Sequence, residues 1–384
     1  MSAHIAVLNL PAAGHILPTL GVVSELVERG HRVSYVAVEG YADAVKAAGA
    51  EHVPYVSAME GKRPPMELTP DIVAQAPLAF LNESKSVAGA LEERFPRGGP
   101  DLLMYDASVA AAGRQLGSGW GCRGVRTFPT LTFNEHYRFD EKLTADLAID
   151  PTHPALVEFG RALADMTGVI PEHDLVFVPR EFQPAGETFG AETTFVGPCI
   201  ADRAHQGRWS ADATGKLLYV SLGTAFTLRP EFFRECVRAA ALMPDWRVVM
   251  AIGDRVTRDE LGTLPPNVEV RAHVPQLEVL RHATVFLSHA GMGSTMEAMY
   301  FGVPLVTVPQ MVEQEINAGR VVELALGLRL DRRTVDAAQI VDAVLAVAAS
   351  DEIRANVTKM ARYARRAGGA VAAADAIERH LAGG

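Results

Sequence analysis

Cysteine is scarce in this chain of 384 residues: Cys122, Cys199 and Cys236 are odd in number, far apart and without C-x-x-C spacing. A disulfide framework and a thiolate metal site are both unwritten in that pattern. The three read as small buried hydrophobes of a reducing, cytoplasmic compartment. Long apolar runs are missing as well, since no stretch reaches the roughly 18 residues of a membrane span. The opening "MSAHIAVLNL" has no basic region before its apolar run and reads as a core strand, not a signal peptide. Positive charge is in deficit, 36 Lys+Arg against 46 Asp+Glu for a net charge of −10. That balance argues against nucleic acid or an acidic membrane surface as partner. The dinucleotide fingerprint G-x-G-x-x-G is absent from the first turn, "LPAAGH", and no P-loop occurs anywhere. No Asp-x-Asp pair exists to clamp a metal–diphosphate, and no two of the 12 histidines have the spacing of a zinc motif. No metal or cofactor is implied.

What remains is a globular composition, 48% hydrophobic and 21% charged, in a chain long enough for two domains. The first half alternates strand and helix. His4–Leu10 is a continuous apolar run, Pro18–Arg29 is a helix closed by Gly30, and Arg32–Val38 is the next strand. A helix over Tyr41–Ala48, a strand "EHVPYVS", a loop Ala58–Pro70, a helix to Phe95 and a strand "DLLMYD" follow. "FPTLTFNEHYRF" (Phe128–Phe139) is aromatic and turn-rich, as a substrate loop would be. The period is lost between Phe195 and Trp209, and "KLLYVSLGT" then restarts the alternation. Strands apolar on both faces imply parallel sheets covered by helices. The expectation is two Rossmann-like, doubly wound α/β domains facing across a cleft, residues 1–205 and 206–384. The last helix, in the segment Ile353–Leu381, is free to pack back on the first domain.

Ligands bind such sheets just past the C-terminal ends of the strands, and several turns there carry chemistry. His15 lies where the first strand hands over to a helix. Asp106 ends a later strand, where a helix N-cap before Ala107–Gly117 is an equal alternative, as a satisfied turn histidine is for His15. The most informative stretch is "VFLSHAGMGSTMEAMYFGVP" (Val285–Pro304). Its strand ends at Ser288, a turn carries His289, Gly291 and Gly293, and a helix opens with Ser294, Thr295 and Glu297. Glycines let a ligand approach, and the helix start offers unpaired N–H groups to a phosphate. An ordinary Gly turn with a Ser N-cap is the alternative. Three further turns open on the same edge: Ser221–Thr224 in "VSLGT", His273, Val274 and Gln276 in "RAHVPQLEVL", and Glu313–Gln314 in "VPQMVEQEIN". Together they can converge on one ligand.

With "GH…P" at Gly14–Pro18, these motifs resemble the macrolide-type natural-product glycosyltransferases, a UDP-sugar-dependent inverting family with the GT-B fold. The resemblance covers nearly the whole chain. It implies an N-terminal acceptor domain and a C-terminal nucleotide-sugar domain. His15 would be the general base that takes the acceptor hydroxyl's proton, and an ordinary imidazole pKa of about 6.5 suits that task. Asp106 would hold its tautomer and steady the imidazolium. Val274 would bond the uracil, with His273 stacked on it where many relatives have Trp, and Gln276 would lie beside the base. Glu297 would accept the ribose hydroxyls. Ser221, Thr224, His289, Gly291, Gly293, Ser294 and Thr295 would surround the diphosphate, and Glu313 and Gln314 would bind the sugar. The reaction implied is glucose transfer from UDP-glucose to a hydroxyl of a hydrophobic natural product (macrolide, other polyketide or phenolic), by a cytoplasmic monomer or homodimer. Met59, Met66, Phe80, Phe128, Phe133 and Tyr137 are the candidate acceptor lining. Three alternatives stand: a dTDP-deoxysugar donor, a GT-B-type sugar-nucleotide epimerase, and a non-enzymatic binding subunit that kept the fold.

Overall fold

The computed structural model describes the whole chain except residues 1, 61–68, 139–148, 165, 167, 201–208, 211–214, 225–226 and 384. Met66 and Phe139, named above, lie outside the described residues. The chain divides into two compact units, Met1–Ala201 with Ala367–Gly384, and Asp202–Arg366.

The first unit is built on a seven-stranded sheet in the order β3-β2-β1-β4-β5-β6-β7. Its strands are β1 His4–Leu8, β2 Arg32–Ala37, β3 Glu51–Pro54, β4 Leu102–Asp106, β5 Arg123–Phe128, β6 Glu172–Val176 and β7 Thr193–Phe195. All the neighbouring pairs are parallel. Side chains alternate between faces along a strand, and here both faces are core. Ile5, Val7, Leu102 and Met104 pack beneath α1 (Ala13–Glu28) and the C-terminal helix Gly369–Leu381, through Val22, Leu26, Ala373 and Ile377. Ala6, Leu8, Leu103 and Tyr105 face the other way, onto Val87, Leu91, Val109 and Leu116 of the segments Pro70–Arg94 and Ala107–Trp120. Burial on both sides is why His4–Leu8 reads as an unbroken apolar run. Arg29 fastens the C-terminal helix with ion pairs to Asp375 (2.7 Å) and Glu378 (2.8 Å), and His31 adds a 3.0 Å contact to Glu378.

The second unit repeats the plan with six parallel strands in the order β10-β9-β8-β11-β12-β13. These are β8 Lys216–Ser221, β9 Trp246–Ala251, β10 Val268–Arg271, β11 Val285–Ser288, β12 Leu305–Thr307 and β13 Gly327–Arg329. In both sheets the winding reverses once, between β1 and β4 and between β8 and β11. These are the topological switch points at which open α/β sheets hold ligands.

One boundary differs from expectation where it matters. The first helix begins at Ala13, five residues before Pro18, which sits inside it. Proline removes an N–H and crowds the carbonyl one turn back, so the sequence suggests a helix start there. The helix nevertheless runs through it, and side chains bond two carbonyls of the same turn: Asn9 donates to the His15 carbonyl (3.0 Å) and Thr19 to that of Ile16 (2.8 Å). His15 therefore stands in the first turn of α1 and not in a loop.

Candidate active-site residues in the two units

In the first unit the switch-point strands deliver one histidine and one carboxylate. His15 follows β1, Asp106 ends β4, and His15 Nδ1 lies 2.8 Å from Asp106 Oδ2. Asp106 is 1% exposed and His15 23%, so the carboxylate is buried while the ring reaches solvent. The other carboxylate oxygen accepts the Ser108 N–H at 2.7 Å. Asp106 is thus both the N-cap expected on local grounds and the partner of His15, one oxygen for each. Burial works to raise its pKa, but the His15 charge and the bonds from His15 and Ser108 outweigh it and hold the carboxyl below its ordinary range. An ionised Asp106 accepts Nδ1–H, which places the lone pair of a neutral His15 ring on Nε2. That is the tautomer a general base needs.

Behind the pair lies a polar cluster that the sequence did not single out. Asn9 Nδ2 also meets Thr19 Oγ1 (3.2 Å) and Tyr35 Oη (2.9 Å), and these two hydroxyls lie 2.7 Å apart. All three residues are buried. Of the aromatic candidates, Phe128 is 4% exposed at the end of β5 and belongs to the core. Phe133 stands edge-on to it and is half exposed, as is Phe80 more modestly. Met59 and Tyr137 are partly buried.

In the second unit Ser221 and Ser288 are register partners at the ends of β8 and β11, and the His289 turn follows. His289 is buried, which pulls its pKa down to about 4 against a small upward effect of the Ser221 backbone. At neutral pH it is an uncharged imidazole able to donate one N–H. Two glycines make room for the ring. A Cβ at Gly223 would stand 2.7 Å from His289 Nε2, and one at Gly291 would stand 2.4 Å away. Ala290, between His289 and Gly291, is left-handed, with φ of 64°. The helix Met292–Phe301 starts from Gly291 with no side-chain cap and no acidic residue in its first turn. Its leading N–H groups and positive dipole end are therefore uncommitted to side chains. A Cβ on Gly293 would meet nothing within 4 Å, so packing does not demand that glycine. Thr295 Oγ1 is buried without a hydrogen-bond partner. An orphaned hydroxyl of this kind calls for a partner, and an anionic ligand at the turn would meet that need.

The structure joins several of the predicted residues directly. Gln276, at the start of the helix Gln276–Leu280, donates to Glu297 (2.6 Å) and Ser294 (3.2 Å) and accepts from the Tyr219 hydroxyl (3.1 Å). Glu313 and Gln314 open the helix Val312–Glu323, and Gln314 Oε1 accepts the Gln310 N–H at 2.8 Å. That bond turns the Gln314 amide so that its NH2 group points away from the Gln310 backbone. Gln310 is itself held by Arg229 (2.7 Å) and Arg332 (2.6 Å). His273 is exposed and its Nε2 lies 2.9 Å from both oxygens of Asp254, while Val274 beside it is buried. Thr224 is exposed on the loop after β8. Tyr219, Arg229 and Arg332 were missed by sequence reasoning, because they act through contacts between segments far apart in the chain; Gln310 was missed because its link to Gln314 is made by a backbone N–H. Among the described residues, no helix is long and apolar enough to cross a membrane.

Comparison with known proteins follows the same lines. Residues 236–367 match the family described as erythromycin biosynthesis protein CIII-like, C-terminal domain. The chain is 38% identical over 391 residues to the NDP-glycosyltransferase YjiC of Bacillus licheniformis, covering 99% of this chain and 98% of that protein. It is 34% identical over 397 residues to the oleandomycin glycosyltransferase of Streptomyces antibioticus, covering 99% and 91%. The crystal structure of CalG4, the calicheamicin glycosyltransferase, superposes with a TM-score of 0.88 at 37% identity, over 99% of this chain and 98% of that one. Two parallel α/β units with polar side chains gathered at both switch points, matched along nearly their full length, place this chain in the natural-product glycosyltransferase family of the GT-B fold.

Proposed function

We propose that this glycosyltransferase moves glucose from UDP-glucose to a hydroxyl of a hydrophobic natural product, with inversion at the anomeric carbon. The observation that carries the reading is the 2.8 Å contact between His15 and buried Asp106. His15 Nε2 takes the acceptor proton as that oxygen attacks the anomeric carbon and the bond to UDP breaks. Asp106 stabilises the imidazolium that forms. In the second unit, the uncapped helix start at Gly291, with His289 and the Ser294 and Thr295 hydroxyls, receives the diphosphate and stabilises its developing charge. Glu297 and Gln276 face the nucleoside, with His273 and Val274 at the base. Ser221 and Thr224 border the phosphates. Glu313 and Gln314 read the sugar hydroxyls. The relatives' names support transfer to antibiotic-type acceptors.

The donor assignment rests on Glu313 and Gln314. A site built to pair with hydroxyls penalises a sugar that lacks them, because its own polar groups are left unsatisfied. The test is kcat/KM for UDP-glucose against a dTDP-deoxysugar, using phenols and macrolides as acceptors. UDP-glucose is expected to give the higher value, and Gln314→Ala to lose more with it than with the deoxysugar. A higher value for the dTDP-deoxysugar would refute the donor assignment.

A further inference from the structure

Asn317 lies one turn beyond Glu313 on the same face of the helix Val312–Glu323 and is 1% exposed. Its amide carries two protons, and both are committed. One goes to the backbone carbonyl of Ala290 and the other to Glu313 Oε1, each at 2.9 Å. The Ala290 end is an unusual demand. This residue is fully buried and left-handed at φ 64° without being glycine, a conformation that persists only where its surroundings enforce it. The Ser288 hydroxyl accepts the Ala290 N–H at 3.2 Å, and Asn317 holds the carbonyl on the other side of the residue. The left-handed turn leads directly into Gly291 and the helix start Met292–Phe301, whose leading N–H groups carry no side-chain cap; successive N–H groups after such a turn are the arrangement that receives anions.

We propose that Asn317 is a positioning residue that couples the two halves of the donor site, the diphosphate turn and the sugar-reading carboxylate. The proposal rests on the donor-site reading above. One buried amide ties the Ala290 peptide to Glu313, so a shift of either strains or breaks its bond to Asn317. Diphosphate grip and sugar choice are then linked properties. No part of Asn317 needs to touch the ligand.

The test compares wild type, Asn317→Ala, Glu313→Ala and the double variant by two readouts. The first is the Kd for UDP by calorimetry. The second is the ratio of kcat/KM for UDP-glucose to that for UDP-deoxyglucose lacking a ring hydroxyl. Hydrogen bonds of this kind correspond to about tenfold in an equilibrium. Asn317→Ala is expected to weaken UDP about tenfold and to lower the sugar ratio about tenfold. In the Glu313→Ala background it should still weaken UDP but leave the ratio within about twofold, because coupled residues are not additive. Should Asn317→Ala fold poorly, the same comparison is made in Ala290→Gly, where glycine tolerates the left-handed backbone and the UDP penalty should shrink. An unchanged sugar ratio in Asn317→Ala, or a ratio that falls equally in both backgrounds, would overturn the proposal. An unchanged ratio in Glu313→Ala itself would instead overturn the sugar-reading role of Glu313.

Discussion

Replacing Asp106 by asparagine keeps the shape of the side chain, removes its charge and exchanges one acceptor atom for a donor. The outcome follows from its two bonds. The Ser108 N–H, 2.7 Å from Oδ1, needs an acceptor, so the asparagine must present its oxygen there. Its NH2 group then faces His15 Nδ1 at the 2.8 Å position of the present carboxylate oxygen. An N–H donor at that place forces the ring proton onto Nε2, the atom that must be bare to accept the acceptor's proton. The imidazolium also loses its counter-charge. Both effects act on the transition state, so kcat should fall by about 10²–10⁴. The capping bond survives, so thermal stability should move by no more than about 1 kcal/mol. UDP binding, assigned to the other compact unit, should be unchanged. Steady-state kinetics with UDP-glucose and a phenolic acceptor, with calorimetric UDP titration, measure all three. A loss of kcat below tenfold with normal folding would refute the base–orienter assignment.

Three further outcomes are expected. Gly291→Ala places a Cβ where 2.4 Å separates it from His289 Nε2; the buried ring must move, and UDP affinity should drop at least about tenfold with a stability loss of about 1–3 kcal/mol, read by calorimetry and thermal melting. Activity should persist in EDTA, because side-chain and helix-terminus donors are assigned to the diphosphate; complete loss restored by Mg²⁺ would show otherwise. The Glu378 carboxyl is held below its ordinary range by its His31 bond and by Arg29, so its contribution is present above the unfolded pKa and lost as pH falls through the lowered folded value. On acidification below about pH 4.5, hydrogen exchange should rise in the helix Gly369–Leu381 before it rises in β1 and β4.

Much of this architecture was legible because the physics is local. Strands buried on both faces, such as His4–Leu8 and Val285–Ser288, announce themselves as apolar runs, and the turns after them carry His15 and His289. Other strands were hidden for an equally physical reason. β5 and β6 contain Arg126 and Asp174, register partners joined by a 2.8 Å ion pair across the sheet. Each charge alone argues against a strand, and only the pairing of segments 48 residues apart makes them compatible. The strand order, and hence the meeting of His15 with Asp106 and of Ser221 with Ser288, is likewise non-local. The helix over Ala13–Glu28 starts earlier than its sequence suggests because Pro18 resembles a helix start, and the bonds from Asn9 and Thr19 to the His15 and Ile16 carbonyls form only on folding. The same holds for Asn317. Its neighbours Glu313 and Gln314 stood out by chemistry, whereas its role rests on a contact with Ala290, 27 residues away in sequence.

The central claim is inverting transfer with His15 as base, and the product's anomeric configuration tests it most directly. Proton NMR of the glucoside formed from UDP-α-glucose and a phenolic acceptor should show only the β-anomer. Its formation should fall by about 10²–10⁴ in His15→Ala while UDP binding by the variant stays near that of wild type. An α-glucoside, or a β-glucoside formed by His15→Ala at close to the wild-type rate, would contradict the account.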